Sequence, residues 1–165
     1  MAGDRRQFLT VLASSCGLTP LVLWVVSRSP DTTMAEAFPV QKSDEEWRHT
    51  LTPDEYSVLR HHHTERPFTS PLNHEERAGT FVCAGCGRPL FDAETKFESG
   101  TGWPSFWESL PGAVAFKVDH KILVPRTEYH CVRCGGHQGH VFDDGPAPTG
   151  KRYCNNGVAL KFIAA

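Results

Sequence analysis

The chain has 165 residues, enough for one domain with a real core but short for two. With 39% hydrophobic residues and a formal net charge of -2, it is neither a disordered chain nor a polybasic nucleic-acid binder, and no strongly charged partner is implied. Its 14 Gly and 12 Pro, many of them in the second half, favour short strands and turns, so that half is predicted to be mainly β.

The first segment is of a different character. Arg5 and Arg6 precede an apolar run that reaches Val26, a pattern expected of a twin-arginine export signal. A membrane anchor is the rival reading, because 8–26 spans 19 residues and nearly matches a bilayer. Thr10, Ser14, Ser15, Gly17, Thr19 and Pro20 dilute the run and favour a removable signal, with Ala35 and Ala37 offering cleavage before Phe38. Lipidation at Cys16 is the less favoured fate, since the apolar run continues beyond it. The expected organisation is a signal at 1–37 and one globular domain at 38–165, exported to the periplasm and held at a membrane only if the signal is retained.

Two short helices are predicted next. Ser43 with Glu46, and Thr52 with Glu55, form capping-box patterns, the second with Pro53 in its first turn. His61, His62 and His63 end the second helix, but consecutive residues diverge on a helix, so a solvated cluster near the helix C-terminus is expected rather than one shared ion. After a loop at 67–71, apolar segments at 80–83, 113–118, 122–124, 128–131, 140–142 and 157–163 alternate with turns and read as antiparallel strands.

Cysteine spacing carries the strongest signal. Cys83 with Cys86, and Cys131 with Cys134, are two CxxC knuckles separated by 44 residues, and each is followed by glycine. Two such thiolate pairs can close a tetrahedral shell around zinc, leaving no open position, so a structural ion is expected. A redox CxxC or a pair of disulfides is the rival in an exported chain. Export of an already folded chain would let the metal load first.

Setting aside those four and Cys16 leaves Cys154, either a reactive thiol or a buried hydrophobe. Lys151 and Arg152 add positive charge that favours thiolate, and a strand through Arg152, Cys154 and Asn156 would put the three side chains on one face. His137 and His140 follow the second knuckle. With four thiolates already present, acid-base work suits them better than ligation. Trp103, in the turn Gly100 to Phe106, reads equally as core or as a substrate platform.

Together, 102–106, 137–145, 152–156 and both knuckles strongly resemble the methionine-R-sulfoxide reductases, the MsrB family, over about 43–162. The resemblance implies a fold of two antiparallel β sheets with short N-terminal helices, one structural zinc per chain, and protein repair by reduction of the R epimer of methionine sulfoxide in oxidised proteins. It further implies Cys154 as nucleophile, His137 and His140 relaying a proton, Asn156 helping them hold a water, Arg152 assisting the thiolate, and Trp103 and Phe142 lining the substrate pocket. The chemistry is coherent: a soft thiolate attacks sulfur, methionine leaves, and Cys154 becomes a sulfenic acid. Many members carry a resolving cysteine where this chain has Thr101, so an external thiol, thioredoxin-like or otherwise, is the expected reductant. Gly157 stands where serine is frequent. A zinc-ribbon binding module and a thiol peroxidase are the rival classes, but each leaves part of the Cys154, Trp103 and histidine set without a purpose.

Overall fold

A computed structural model describes residues 38–165. The twin-arginine-like segment, Cys16 and the cleavage residues Ala35 to Ala37 lie outside the described residues. Both capping boxes form. Ser43 opens α1 (Asp44–Thr50), accepting from the Glu46 amide while its own N–H donates to Glu46 Oε2 at 2.7 Å. Thr52 opens α2 (Pro53–His61) with the same reciprocal pair through Glu55. Local side-chain chemistry settles these two starts without help from the rest of the fold.

Helix α2 stops at His62, which takes a left-handed conformation at φ 56. The three histidines then diverge, as helix geometry predicts. His61 packs on Tyr56, and His63 Nδ1 meets Ser57 Oγ at 2.6 Å. The solvated-cluster expectation fails for His62, which turns inward and reaches Glu128 at 3.1 Å, because a left-handed cap redirects the chain at that residue.

Among the described residues, nine strands build two antiparallel sheets. The smaller has the order β2 (Pro89–Asp92), β1 (Gly79–Cys83), β9 (Leu160–Ala164). The larger runs β3 (Lys96–Phe97), β4 (Ser105–Phe106), β8 (Arg152–Asn155), β7 (His137–Phe142), β6 (Arg126–Cys131), β5 (Val114–Asp119). The expected mainly β, two-sheet architecture is therefore present, with both short helices.

Several boundaries differ from expectation. Ile122 to Val124 form no strand; they cap the β5–β6 hairpin with all three side chains exposed. Segment 157–163 divides into a 3-10 turn, Gly157–Ala159, and strand β9. Strands β2, β3 and β4 were not anticipated, because two to four residues cannot display an alternating period.

The core joins the two sheets through aromatics. Phe91 of β2 stacks on Phe106 of β4 at 4.2 Å, and Phe81 of β1 meets Phe106 edge-on at 4.9 Å. All three are fully buried; each contributes roughly 1.5–3 kcal/mol by leaving water. That packing fixes β4, and Ser105 beside Phe106 is the register partner of Cys154. Among the described residues no helix is long and apolar enough to cross a membrane.

Candidate active site

Strand β8 carries Cys154 into the middle of the larger sheet, with Ser105 opposite on β4 and His140 opposite on β7. Close approach of β7 requires glycine at 139, where a Cβ would lie 1.9 Å from the Cys154 carbonyl oxygen. Cys154 opens into a pocket that Trp103, His140, Phe142 and Asn156 also line, together with Thr64 and Arg126. Four of the sequence-nominated residues thus surround the predicted nucleophile.

Trp103 is held by its indole Nε1, which donates to the Glu65 carbonyl at 2.9 Å. Its preceding residue, Gly102, must be glycine for two reasons: φ is +89, and a Cβ there would meet Phe68 at 2.8 Å. Phe142 lies under the Arg152 guanidinium, 4.5 Å from the ring centre. Arg152 is mostly buried and forks onto Asp144 with two hydrogen bonds of 2.8 Å, so its charge is shared between Asp144 and the thiol.

Asn156 departs from the expected common face. Strand β8 ends at Asn155, and Asn156 begins the following 3-10 turn. Its amide donates to the Gln138 carbonyl at 2.9 Å and accepts from the Glu65 amide at 2.9 Å. The side chain shapes the pocket wall while tying three segments together.

The histidines differ in placement. His140 lines the pocket, and its Nε2 lies 2.7 Å from Asp119 Oδ2, a carboxylate that Arg126 also holds at 2.7 Å. His137 is buried beside it, rings 5.6 Å apart, with Nδ1 at 2.8 Å from Glu128 Oε1. Burial pushes both imidazoles down, outweighing the hydrogen bonds they donate to their carboxylates. Burial pushes Glu128 up, but hydrogen bonds from His137 and His62 hold it well below the usual carboxylate range. The Lys121 backbone amide, with His140 and Arg126, does the same for Asp119. Each histidine is therefore neutral at rest beside an anion that stabilises its protonated form.

Burial also raises the Cys154 thiol above its ordinary range, with Arg152 only partly opposing it. A raised pKa makes thiolate the minor species at neutral pH, growing as pH climbs through the raised value. Iodoacetamide labelling of Cys154, read by peptide mass spectrometry, should accelerate continuously from pH 7 to above pH 9, and Arg152→Ala should move the curve further alkaline. A plateau already reached below pH 7 would contradict this.

Sequence reading missed Glu65, Asp119, Arg126 and Glu128. Glu65 Oε2 accepts from the Gly157 amide at 2.6 Å, and its backbone serves both Asn156 and Trp103. It lies between the second helix and the loop at 67–71, in a stretch with no motif to single it out. Glu128 offered a faint signal, an acidic residue opening the segment 128–131 that read as a strand.

At the knuckles, Cys83 Sγ and Cys134 Sγ are 3.7 Å apart, Cys86 Sγ and Cys131 Sγ 3.6 Å, and all four sulfurs lie within 4.8 Å of one another. These separations exceed a disulfide bond of about 2.05 Å and match the edges of a tetrahedron with metal–sulfur bonds of about 2.3 Å. Gln138 Nε2 donates to Cys83 Sγ at 3.5 Å, and the backbone amides of Arg88 and Arg133 donate to Cys86 and Cys131. The cluster can hold a metal ion.

The SelR domain matches residues 51–164. A peptide methionine sulfoxide reductase MsrB of Methanosarcina barkeri is 54% identical over 74% of this chain and 87% of its own length. The chain belongs to the MsrB family. Another MsrB, from Agrobacterium fabrum, is 52% identical over 74% of this chain and 92% of its own length. The chloroplastic peptide methionine sulfoxide reductase B1 of Arabidopsis thaliana is 49% identical across 74% of this chain and 61% of itself. Membership in the MsrB family covers both knuckles and the whole Cys154 pocket.

Proposed function

We propose that this chain reduces methionine-R-sulfoxide in oxidised proteins, a repair reaction, with Cys154 as nucleophile. One observation carries the reading: the only described cysteine outside the four-sulfur cluster opens into a pocket walled by an indole, a phenyl ring and an imidazole. The methyl group and sulfur of the substrate rest against Trp103, since sulfur and aromatic rings attract modestly, with Phe142 on the facing wall.

The Cys154 thiol passes its proton to neutral His140, and the resulting thiolate Sγ attacks the sulfoxide sulfur while that imidazolium gives the proton to the oxygen. Asp119 stabilises the transient imidazolium, and His137, seated on Glu128, adjoins that ring and can relay protons to it. The oxygen transfers to Cys154 as a sulfenic acid, and methionine departs with the electron pair. An external thiol then attacks Cys154 Sγ, water leaves, and a second thiol resolves the mixed disulfide. Thr101 supplies no sulfur for an internal disulfide. Zinc bound by Cys83, Cys86, Cys131 and Cys134 would serve structure alone, since four thiolates leave no open position. Residues 1–37 support export by the twin-arginine route to the periplasm.

Reduced protein should release about one methionine per chain from an excess of R-epimer sulfoxide peptide without added reductant, as expected of a single thiol. Cys154 should then be one oxygen heavier. Release only from the S epimer, or reaction with peroxide but no sulfoxide peptide, would overturn the proposal; the latter outcome would favour a thiol peroxidase.

A further inference from the structure

Three hydroxyls run in file from the nucleophile toward the backbone. Thr101 Oγ1 lies 4.0 Å from Cys154 Sγ, Ser99 Oγ lies 2.8 Å from Thr101 Oγ1, and Ser105 Oγ lies 2.8 Å from Ser99 Oγ. The far end is anchored: Ser105 Oγ donates to the Trp103 carbonyl at 3.1 Å. A carbonyl only accepts, and each hydroxyl has one hydrogen, so the anchor sets the polarity of the file. Ser105 spends its hydrogen on Trp103, Ser99 gives its hydrogen to Ser105, and Thr101 gives its hydrogen to Ser99. What faces Cys154 is then a lone pair.

The 4.0 Å gap is long for a bond to sulfur itself. It suits one oxygen placed between, bonded to Sγ and donating to Thr101 across about 2.7 Å. The occupant of that space is the oxygen of a neutral sulfenic acid, which carries the O–H that the lone pair accepts. Donation by Thr101 to an anion would need all three hydroxyls to turn over and would strip the Trp103 carbonyl of this donor.

We propose that Thr101, oriented by Ser99 and Ser105, holds the Cys154 sulfenic acid in its neutral form and so protects the single thiol from irreversible oxidation. The proposal rests on the sulfenic acid cycle argued above. Overoxidation proceeds from the sulfenate anion: its sulfur attacks peroxide, the O–O bond breaks, one oxygen joins sulfur as a sulfinate and the other leaves as water. Hydrogen bonding to the neutral form disfavours the anion. The same neutral species remains open to attack by a reducing thiol, from which its oxygen departs as water. A chain without a resolving cysteine has particular need of this device, because no disulfide shelters its oxidised sulfur.

Thr101→Val removes the hydroxyl while keeping its shape, Thr101→Ser retains it, and Ser99→Ala breaks the file one step behind. Each purified, reduced protein is taken to Cys154 sulfenic acid in parallel with one equivalent of R-epimer sulfoxide peptide and with one equivalent of hydrogen peroxide. Excess peroxide is then added, and Cys154 sulfinic acid is followed by mass spectrometry. Sulfinate should form on the order of fivefold faster in Thr101→Val than in wild type, the scale of one neutral hydrogen bond, with Ser99→Ala intermediate and Thr101→Ser close to wild type. Equal rates in wild type and Thr101→Val would overturn the proposal, as would slower oxidation in the variant. If peptide yields no methionine yet the peroxide arm shows the expected order, the reductase reading fails and the hydroxyl file stands.

Discussion

Cys154→Ser should lower turnover of a methionine sulfoxide peptide on the order of a thousandfold or more, the scale seen when an enzyme loses its nucleophile. A serine alkoxide is scarce and hard at neutral pH, whereas sulfoxide sulfur calls for a soft attacker. The protein around it should be undisturbed. Cys154 is half-buried in an open pocket, with the Thr101 hydroxyl 4.0 Å away and the Arg152 guanidinium beside it, so an oxygen of smaller radius fits without strain. Metal content and Tm should match the parent, and methionine release by chromatography is the decisive measurement. Turnover within a few-fold of wild type would remove Cys154 from the mechanism and leave the pocket without a nucleophile.

Replacing any one of Cys83, Cys86, Cys131 or Cys134 with serine should release the metal and lower stability by several kcal/mol, from an apparent binding free energy on the order of 10 kcal/mol in small zinc sites. The expected fall in Tm is roughly 10 to 20 °C for a domain of this size. The reason lies in where the knuckles sit. Cys83 ends β1 of the smaller sheet and Cys131 ends β6 of the larger one, so an ion shared between them staples the two sheets together. Its loss leaves three thiols and the new hydroxyl crowded in the interior, with repulsion between the sulfurs once they ionise. Metal analysis and a thermal melt on each variant test this. A variant that is metal-free yet melts with the parent would show that the aromatic core alone holds the sheets together.

These two expectations trace to different kinds of information in the chain. The helix starts at Ser43 and Thr52 depended only on residues three apart, and both caps are made within that distance. The knuckles were legible for the same reason: two sulfurs on one tight turn are a local arrangement, and its duplication implied a partner. Cys154 emerged by subtraction, and the pattern around Trp103, His137 and His140 pointed to a family. The fold class followed from turn residues spaced between apolar runs.

Tertiary structure alone decided how those pieces meet. Strand β4 is two residues long and is held by Phe106 stacking on Phe91 across the sheets, a contact no local period announces. Register between β4, β8 and β7, which sets Ser105 and His140 on either side of Cys154, is a property of pairs of strands rather than of any one strand. Glu65 gained its place because Asn156, Gly157 and Trp103 converge on it from positions 38 to 92 residues away. Glu128 likewise receives His62 and His137 from two separate elements. The neighbourhood also reversed one inference. Arg152 favoured a thiolate in the sequence, yet in the fold Asp144 claims its two best donors and burial raises the thiol. Charge near a residue is visible in the chain; desolvation is not, because it is set by whatever the rest of the protein packs around it.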